Sequence, residues 1–157
     1  MISAKKIEGE ADLGYVGEVT GVDATVLRDA LDRGYIPVIA TLGCGEDGTV
    51  YNINADSAAC RIAAELHAEN LISMTDVRGL LRNRDDENTL IPEVKVSEVP
   101  LLVRQGVIAG GHDPQGGVLR RGGAPRRQAR LHYRRRIPHS ILIELMTNEG
   151  IGTMFLG

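Results

Sequence analysis

A helix-periodic segment held between two short, unbroken apolar runs is the feature that most restricts what this chain can fold into. The first run is Ile36-Pro37-Val38-Ile39-Ala40-Thr41 and the second is Leu71-Ile72-Ser73-Met74-Thr75. The first is continuous and suits a strand covered on both faces, with Pro37 near its start where a missing N–H is tolerated, and the second reads as another buried strand. Between them, Ala58, Ala59, Ile62, Ala63 and Leu66 recur at helical spacing across residues 54–69. Strand, helix and strand in this order predict a parallel pair with a right-handed crossover, and an α/β class. Within this frame Gly45-Glu46-Asp47-Gly48 predicts a hairpin turn into Thr49-Val50-Tyr51.

Further elements follow from the same signals. Residues 22–35 predict a helix with Asp23 as N-cap, an apolar face of Val26, Leu27, Ala30 and Leu31, and Gly34 as its stop. Residues 82–88 are polar and charged, a surface loop. Residues 91–96 predict an edge strand, and 97–106 a helix capped by Ser97 with Glu98 in the first turn. The stripe Ile141, Leu142 and Leu145 predicts a helix over 137–147, and 151–156 a last strand. Residues 112–136 interrupt the pattern. They hold eight of the chain's 18 basic residues and four of its 19 glycines, without helical or strand periodicity.

Composition narrows the function classes. With 157 residues, net charge −3, 43% apolar and 25% charged residues, the chain has the balance of one globular domain, neither disordered nor membrane-spanning. Met1-Ile2-Ser3-Ala4-Lys5-Lys6 carries no signal core and no transit character. Cys44 and Cys60 are too few for a zinc site and match no redox spacing, so they read as reduced structural thiols. The absence of Trp and the single Phe argue against stacking on nucleic-acid bases. The arginines of 120–136 read as a solvated charge run, not a nucleic-acid patch.

Three stretches carry candidate chemistry. Tyr51-Asn52-Ile53-Asn54-Ala55-Asp56 joins a predicted strand to a predicted helix, where ligands of open α/β sheets bind. Asn52 can offer an amide donor and acceptor to a small polar substrate, and Asp56 can orient cations. The same residues also read more plainly, Asn54 as an N-cap and Asp56 as a carboxylate favoured by the helix dipole. Thr75-Asp76-Val77-Arg78-Gly79 closes the second strand, either as a ligand turn or as an Asx-type turn with Gly79 at positive φ. Gly106 to Gly111 is a glycine cluster that would let a backbone approach phosphates.

Taken together, these stretches resemble the amino-acid kinase superfamily, and within it the N-acetylglutamate kinases of the arginine-sensitive plant and cyanobacterial type. The likeness rests on Leu13-Gly14-Tyr15-Val16-Gly17-Glu18-Val19, the two apolar runs, the Tyr51 to Asp56 and Thr75 to Val77 stretches, Ile137-Pro138-His139-Ser140, and Asn148-Glu149-Gly150-Ile151-Gly152-Thr153-Met154. It runs from about Gly9 to Gly111 and resumes at Arg136. The resemblance implies a three-layer α/β/α fold with an open, mainly parallel sheet. It implies transfer of phosphate from ATP, with Mg2+, to the side-chain carboxylate of N-acetyl-L-glutamate in arginine biosynthesis. By this likeness Asp56 is catalytic and Asn52 and Asn54 bind substrate. Thr75, Asp76, Val77, Gly79, Gly110 and Gly111 border the nucleotide, and Glu149, Gly150 and Gly152 serve the feedback inhibitor arginine. Arg78 stands where the family often has a small or acidic residue. The resemblance further implies a homo-hexamer, a PII signal-protein partner and a chloroplast address.

Two expected pieces have no match. The strand, lysine and glycine turns of the family's first half are not found before Leu13, and Lys5 and Lys6 lie in no glycine-rich context. The chain thus reads as the nucleotide-binding, C-terminal part of the domain. After Gly110-Gly111 the family continues Met-Ile-Pro-Lys-Val-Glu-Cys-Cys-Val, whose lysine meets the phosphates. Those codons can be written ATG ATC CCC AAG GTG GAG TGC TGC GT. Read with an added C in front, they give His-Asp-Pro-Gln-Gly-Gly-Val-Leu-Arg, which is the stretch from His112 to Arg120. The expectation is a reading-frame shift repaired near Arg136, a chain that does not turn over alone, and apolar surface left uncovered. A non-catalytic fragment or an interaction module is the alternative.

Overall fold

The computed structural model describes residues 1–9, 12–75, 79–83, 85–108, 129–134, 138–147 and 151–156. They fall into two compact α/β units, Met1–Ala68 and Glu69–Gly157.

The first unit is a closed ring of four short strands, β1 (Ile2–Lys6), β2 (Val16–Val22), β3 (Leu42–Cys44) and β4 (Val50–Ile53), with helices α1 (Thr25–Asp32) and α2 (Ala55–Leu66). β1 runs antiparallel to β2, β2 parallel to β4, and β4 antiparallel to β3, and a parallel contact at Ser3 and Cys44 closes the circle. Its core is Ile2, Ala4, Ile53 and Ala58, with Val19, Tyr51 and Ile62 against it. Gly43 is required there by close approach. A Cβ at that position would lie 2.5 Å from the Ala4 Cβ and 3.2 Å from Ile53.

The predicted hairpin forms at Gly45 to Gly48, where Gly48 N–H donates to Gly45 C=O at 3.0 Å. Its first strand, however, is β3 and not the apolar run at 36–41. That run is irregular from residue 35 to 40, with Ile36 91% and Val38 96% exposed. The ring closes on β1, a strand that composition did not announce, and this leaves the run without a ladder partner in its unit. A run of apolar residues records suitability for burial and does not supply the neighbour that burial needs. α1 is also shorter than expected. Val22 belongs to β2, and Asp23 accepts from Thr25 N–H and hydroxyl at 3.0 and 2.6 Å ahead of the helix. Val26 and Leu31 of its expected apolar face are exposed.

The second unit holds a four-stranded sheet in the order β5 (Asn70–Thr75), β7 (Ala129–Arg134), β8 (Thr153–Leu156), β6 (Glu93–Lys95). β5 is parallel to β7, β7 antiparallel to β8, and β8 parallel to β6. The sheets are therefore mixed in both units: the second is parallel in two of its three pairings, in keeping with a mainly parallel sheet, whereas the first is closed, against the expectation of an open one. Expected edge strand β6 is present, and α3 (Val99–Arg104) follows a 3-10 turn at Val96–Glu98. Here Ser97 does not cap the helix. Instead, the Glu98 carboxylate accepts from Lys95 N–H at 3.1 Å. The last helix, α4 (Ser140–Met146), carries Ile141, Leu142 and Leu145 as expected, but all three are exposed. The core gathers Ile91, Val94, Val99, Ile108 and Phe155, with Leu80, Leu102 and Val107 against it.

β7 corrects the reading of 112–136 as free of regular structure. It pairs with β5 over six residues and with β8 over three. A backbone ladder depends on neighbours on both sides, which the composition of one segment does not reveal. The proposed frame-shifted stretch from His112 to Arg120 lies outside the described residues. Among the described residues no helix is long and apolar enough to cross a membrane.

Two measurements test the packing of the first unit. Gly43→Ala forces a methyl into the Ala4 and Ile53 contact, and it should destabilise the chain by about 1–3 kcal/mol in urea unfolding followed by circular dichroism. Asp47 accepts from the Thr49 hydroxyl at 2.7 Å and its N–H at 3.0 Å, and these bonds hold its carboxyl below the usual range. Because its folded pKa lies below the unfolded one, its stabilisation is full above about 3.9 and is lost as pH falls through the folded value. Asp47→Ala should therefore lower the urea midpoint near neutral pH, and the gap to wild type should close as pH is taken below about 4.

Candidate functional site

The junction of β4 and α2 brings three sequence-predicted residues together. Strand residues alternate faces, so with Ile53 turned into the core at 2% exposure its neighbour Asn52 faces outward and is exposed. Backbone bonds on both sides fix this register. Asn52 N–H donates to Tyr15 C=O at 2.8 Å and Ile53 N–H to Thr41 C=O at 2.9 Å. Asn54 is the N-cap of α2. Its Oδ1 accepts from Ser57 N–H at 3.0 Å and from the Ser57 hydroxyl at 3.2 Å. Asn54 is thus the N-cap, and the cap engages its Oδ1, not its Nδ2. Asp56 lies in the first turn and is exposed, where the helix dipole favours a carboxylate. A left-handed His67 ends the helix, and the Arg28 guanidinium donates to Glu65 C=O at 2.6 Å.

Neither Lys5 nor Lys6 joins this group. Lys5 pairs with Glu18 at 3.0 Å and Lys6 with Asp12 at 2.8 Å. The Asp12 hydrogen bond and charge raise the Lys6 pKa, and Lys6 together with the Gly14 N–H lowers that of Asp12.

In the second unit Thr75 is the last residue of β5. Gly79 adopts φ +141, as the turn reading expected, and it sits hard against Thr153, where a Cβ would stand 2.6 Å from Oγ1. Gly152 is buried just ahead of β8. Asp76, Val77, Gly110, Gly111, Glu149 and Gly150 lie outside the described residues. Thr153 was not singled out by its sequence context, because a threonine opening a predicted strand carries no local signal of function. Among the described residues no cluster of three metal-ligating side chains occurs.

A strand-to-helix junction with an outward amide can offer hydrogen bonds to a polar ligand, and the Asp56 carboxylate beside it favours a cation. The model of the amino acid kinase family matches residues 1–118, and the chain belongs to that family. It is 45% identical over 99% of its length to an acetylglutamate kinase from Brachyspira hyodysenteriae, and 45% identical over 97% to one from Synechococcus. The chain spans about half the length of these relatives, 54% and 51% respectively. Among solved structures it is similar to N-acetylglutamate synthase from Neisseria gonorrhoeae complexed with coenzyme A and N-acetyl-glutamate. That match has a TM-score of 0.83 and 25% identity, over 99% of this chain and 36% of that one. Giardia carbamate kinase shares the fold, with a TM-score of 0.64 and 21% identity over 90% of this chain and 50% of that one. The fold is thus that of the amino acid kinases, α/β with mixed sheets.

The two asparagines should separate by experiment. Asn54→Ala should cost about 1 kcal/mol through loss of the cap. Asn52→Ala, at an exposed position with no hydrogen bond from its side chain among the described residues, should stay within about 0.5 kcal/mol in the same urea titration.

Proposed function

We propose that this chain is the nucleotide-binding part of an acetylglutamate kinase, and that it holds MgATP and N-acetyl-L-glutamate without transferring phosphate between them. The observation that carries this reading is the outward Asn52 beside Asp56 at the head of α2, within a chain 45% identical to acetylglutamate kinases along nearly its whole length. A second support is that a solved neighbour of different activity was crystallised with N-acetyl-glutamate. The likeness thus spans proteins whose names share that molecule.

In the reaction, the side-chain carboxylate of the substrate attacks the γ-phosphorus of ATP, and ADP leaves. Asn52 offers its amide to the polar groups of the acyl amino acid. Asp56 orients cations close to the transferred group. Mg2+ enters with the nucleotide, since this ion is commonly held by phosphates and one or two carboxylates and needs no cage of its own. Thr75 to Gly79 borders the nucleotide, with Gly110 and Gly111 beyond it. Glu149, Gly150 and Gly152 are proposed to meet arginine.

The lysines that the family sets around the phosphates have no counterpart in this reading, because Lys5 and Lys6 lie in no glycine-rich context. Phosphoryl transfer depends on positioning and on neutralising charge at the equatorial oxygens, and one lost donor of this kind lowers the rate by about 10²–10³. The missing piece is attributed to the frame-shifted stretch after Gly111. A hexameric assembly, contact with PII and a chloroplast address belong to the same proposal. Relatives from Brachyspira and Actinobacillus stand at the same 45% identity as that from Synechococcus, so identity does not favour the photosynthetic type.

Purified chain mixed with MgATP and N-acetyl-L-glutamate should produce no ADP above background in a coupled assay, while a fluorescent ATP analogue with Mg2+ should bind saturably. Substrate-dependent ADP release would overturn the inactivity. Absence of nucleotide binding would overturn the reading itself.

A further inference from the structure

The chain contains a single Asp-Gly pair, Asp47-Gly48, and no Asn-Gly pair. The pair sits at the tip of the hairpin between β3 and β4, and both residues are exposed. Such a pair is chemically labile. The Asp carboxyl carbon is within ring-closing reach of the next backbone nitrogen, and glycine puts no side chain in the way. Gly48 is open on its own side, with φ +82 and nothing within 4 Å of the place a Cβ would take. Yet the reacting groups are all engaged. Gly48 N–H donates to Gly45 C=O at 3.0 Å. Asp47 Oδ1 accepts from Thr49 N–H at 3.0 Å, and Oδ2 accepts from the Thr49 hydroxyl at 2.7 Å. The carboxylate is thereby tied to the residue beyond Gly48.

We propose that Asp47 is a site of spontaneous isoaspartate formation, and that the Thr49 hydroxyl sets its rate by holding the carboxylate away from the Gly48 nitrogen. In the first step the Gly48 nitrogen gives up its proton and bonds to Asp47 Cγ, a Cγ–O bond breaks, and that oxygen leaves as water. The product is a succinimide. In the second step water adds to one of its two carbonyls. Opening at the Asp47 main-chain carbonyl breaks the original peptide bond, so the chain runs on through Cγ and the α-carboxylate is set free. The water lost in the first step returns in the second, and the mass is unchanged. Ring closure proceeds from the protonated acid, which can release water, and the Thr49 bonds that hold the carboxyl below its usual range also disfavour that form. The isomer carries an extra methylene in the backbone of a tight turn. The Gly45 N–H bond to Thr49 C=O at 2.8 Å, which closes the hairpin, and the Cys44 pairing with Val50 beside it must then shift. β4 leads from this turn to the buried Ile53, so the isomer loosens the ring of strands from its hairpin end.

The test ages the full chain in warm neutral buffer. Isoaspartate is counted by transfer of a labelled methyl group from S-adenosylmethionine with an isoaspartyl methyltransferase, and located by peptide mapping, where the two isomers have equal mass and different retention. Wild type should gain label at Asp47, more slowly than a free peptide of residues 43–51. Thr49→Val should speed the reaction about fivefold, and Thr49→Ser, which keeps the hydroxyl, should stay within about twofold of wild type. Asp47→Glu, whose longer side chain closes the ring poorly, should gain no label in this peptide. Rates are compared on protein shown to be folded by its urea transition. Equal acceleration in the Ser and Val variants would mean that the hairpin has merely loosened, and would overturn the role of the hydroxyl. So would an unchanged rate in folded Thr49→Val, or a wild-type rate equal to that of the free peptide. Wild type without isoaspartate at Asp47, under conditions in which the peptide forms it, would overturn the proposal as a whole.

Discussion

Burial of Ile53 is the constraint on which the first unit turns. Its side chain lies inside the ring of strands beside Ala4 and Ala58, and Gly43 contributes no side chain, so the wall can close over it. Because a strand alternates, fixing Ile53 inward fixes Asn52 outward. The next residue, Asn54, then stands where the chain must turn into a helix, and its side chain satisfies the Ser57 N–H that the first turn leaves without a partner. The polar edge of the junction is thus a consequence of apolar packing beneath it. A shift of one residue would bury the amide of Asn52 and expose Ile53, so the site and the core cannot be varied separately.

Where the determinants were local, the sequence was legible. The helix over Ala55–Leu66 follows from its alanine and isoleucine spacing, its start from Asn54, and the hairpin from the Gly45 to Gly48 turn. Legibility failed where an element depends on a neighbour. Residues 36–41 were read as a strand because they are apolar, but β1 takes the place in the ring and the run stays irregular and exposed. Conversely, β7 was hidden inside an Arg- and Gly-rich segment, although Ala129-Arg130-Leu131-His132-Tyr133-Arg134 alternates as a strand does and is paired on both sides. The Ser97 cap failed for a smaller reason. A 3-10 turn precedes α3, and Glu98 closes that turn on Lys95.

The same distinction applies to the candidate site. Asn52, Asn54 and Asp56 lie within one short stretch, so strand and helix periodicity alone bring them together. Thr153 is instead hydrogen-bonded to Leu80 and Ile91, 73 and 62 residues away in sequence. Nothing in the local pattern of Gly152-Thr153-Met154 marks its hydroxyl as the junction of two other segments. Only the folded arrangement exposes such a residue, and its burial makes its polar bonds obligatory, since an unpaired hydroxyl or amide in that position would carry the full cost of desolvation.

Binding and transfer draw on different groups. In the function proposed above, the outward amide of Asn52 would act on the ligand in its ground state. Speeding the chemical step requires interactions that strengthen as charge redistributes on the phosphoryl group. Lysines serve that purpose when they can approach the phosphates, and here Lys5 and Lys6 are each drawn to a carboxylate on their own ring, with Asp12 raising the pKa of Lys6 by hydrogen bond and charge. Arg28 is likewise turned to Glu65. Exposed pairs of this kind add little stability, so the pairs themselves could be given up cheaply. What stands against recruitment is backbone placement: Lys5 and Lys6 are carried on β1, whose register with β2 is fixed by five residue pairs. The family likeness and the placement of the two lysines are therefore separate observations: the first identifies the fold, and the second puts Lys5 and Lys6 in exposed ion pairs on β1.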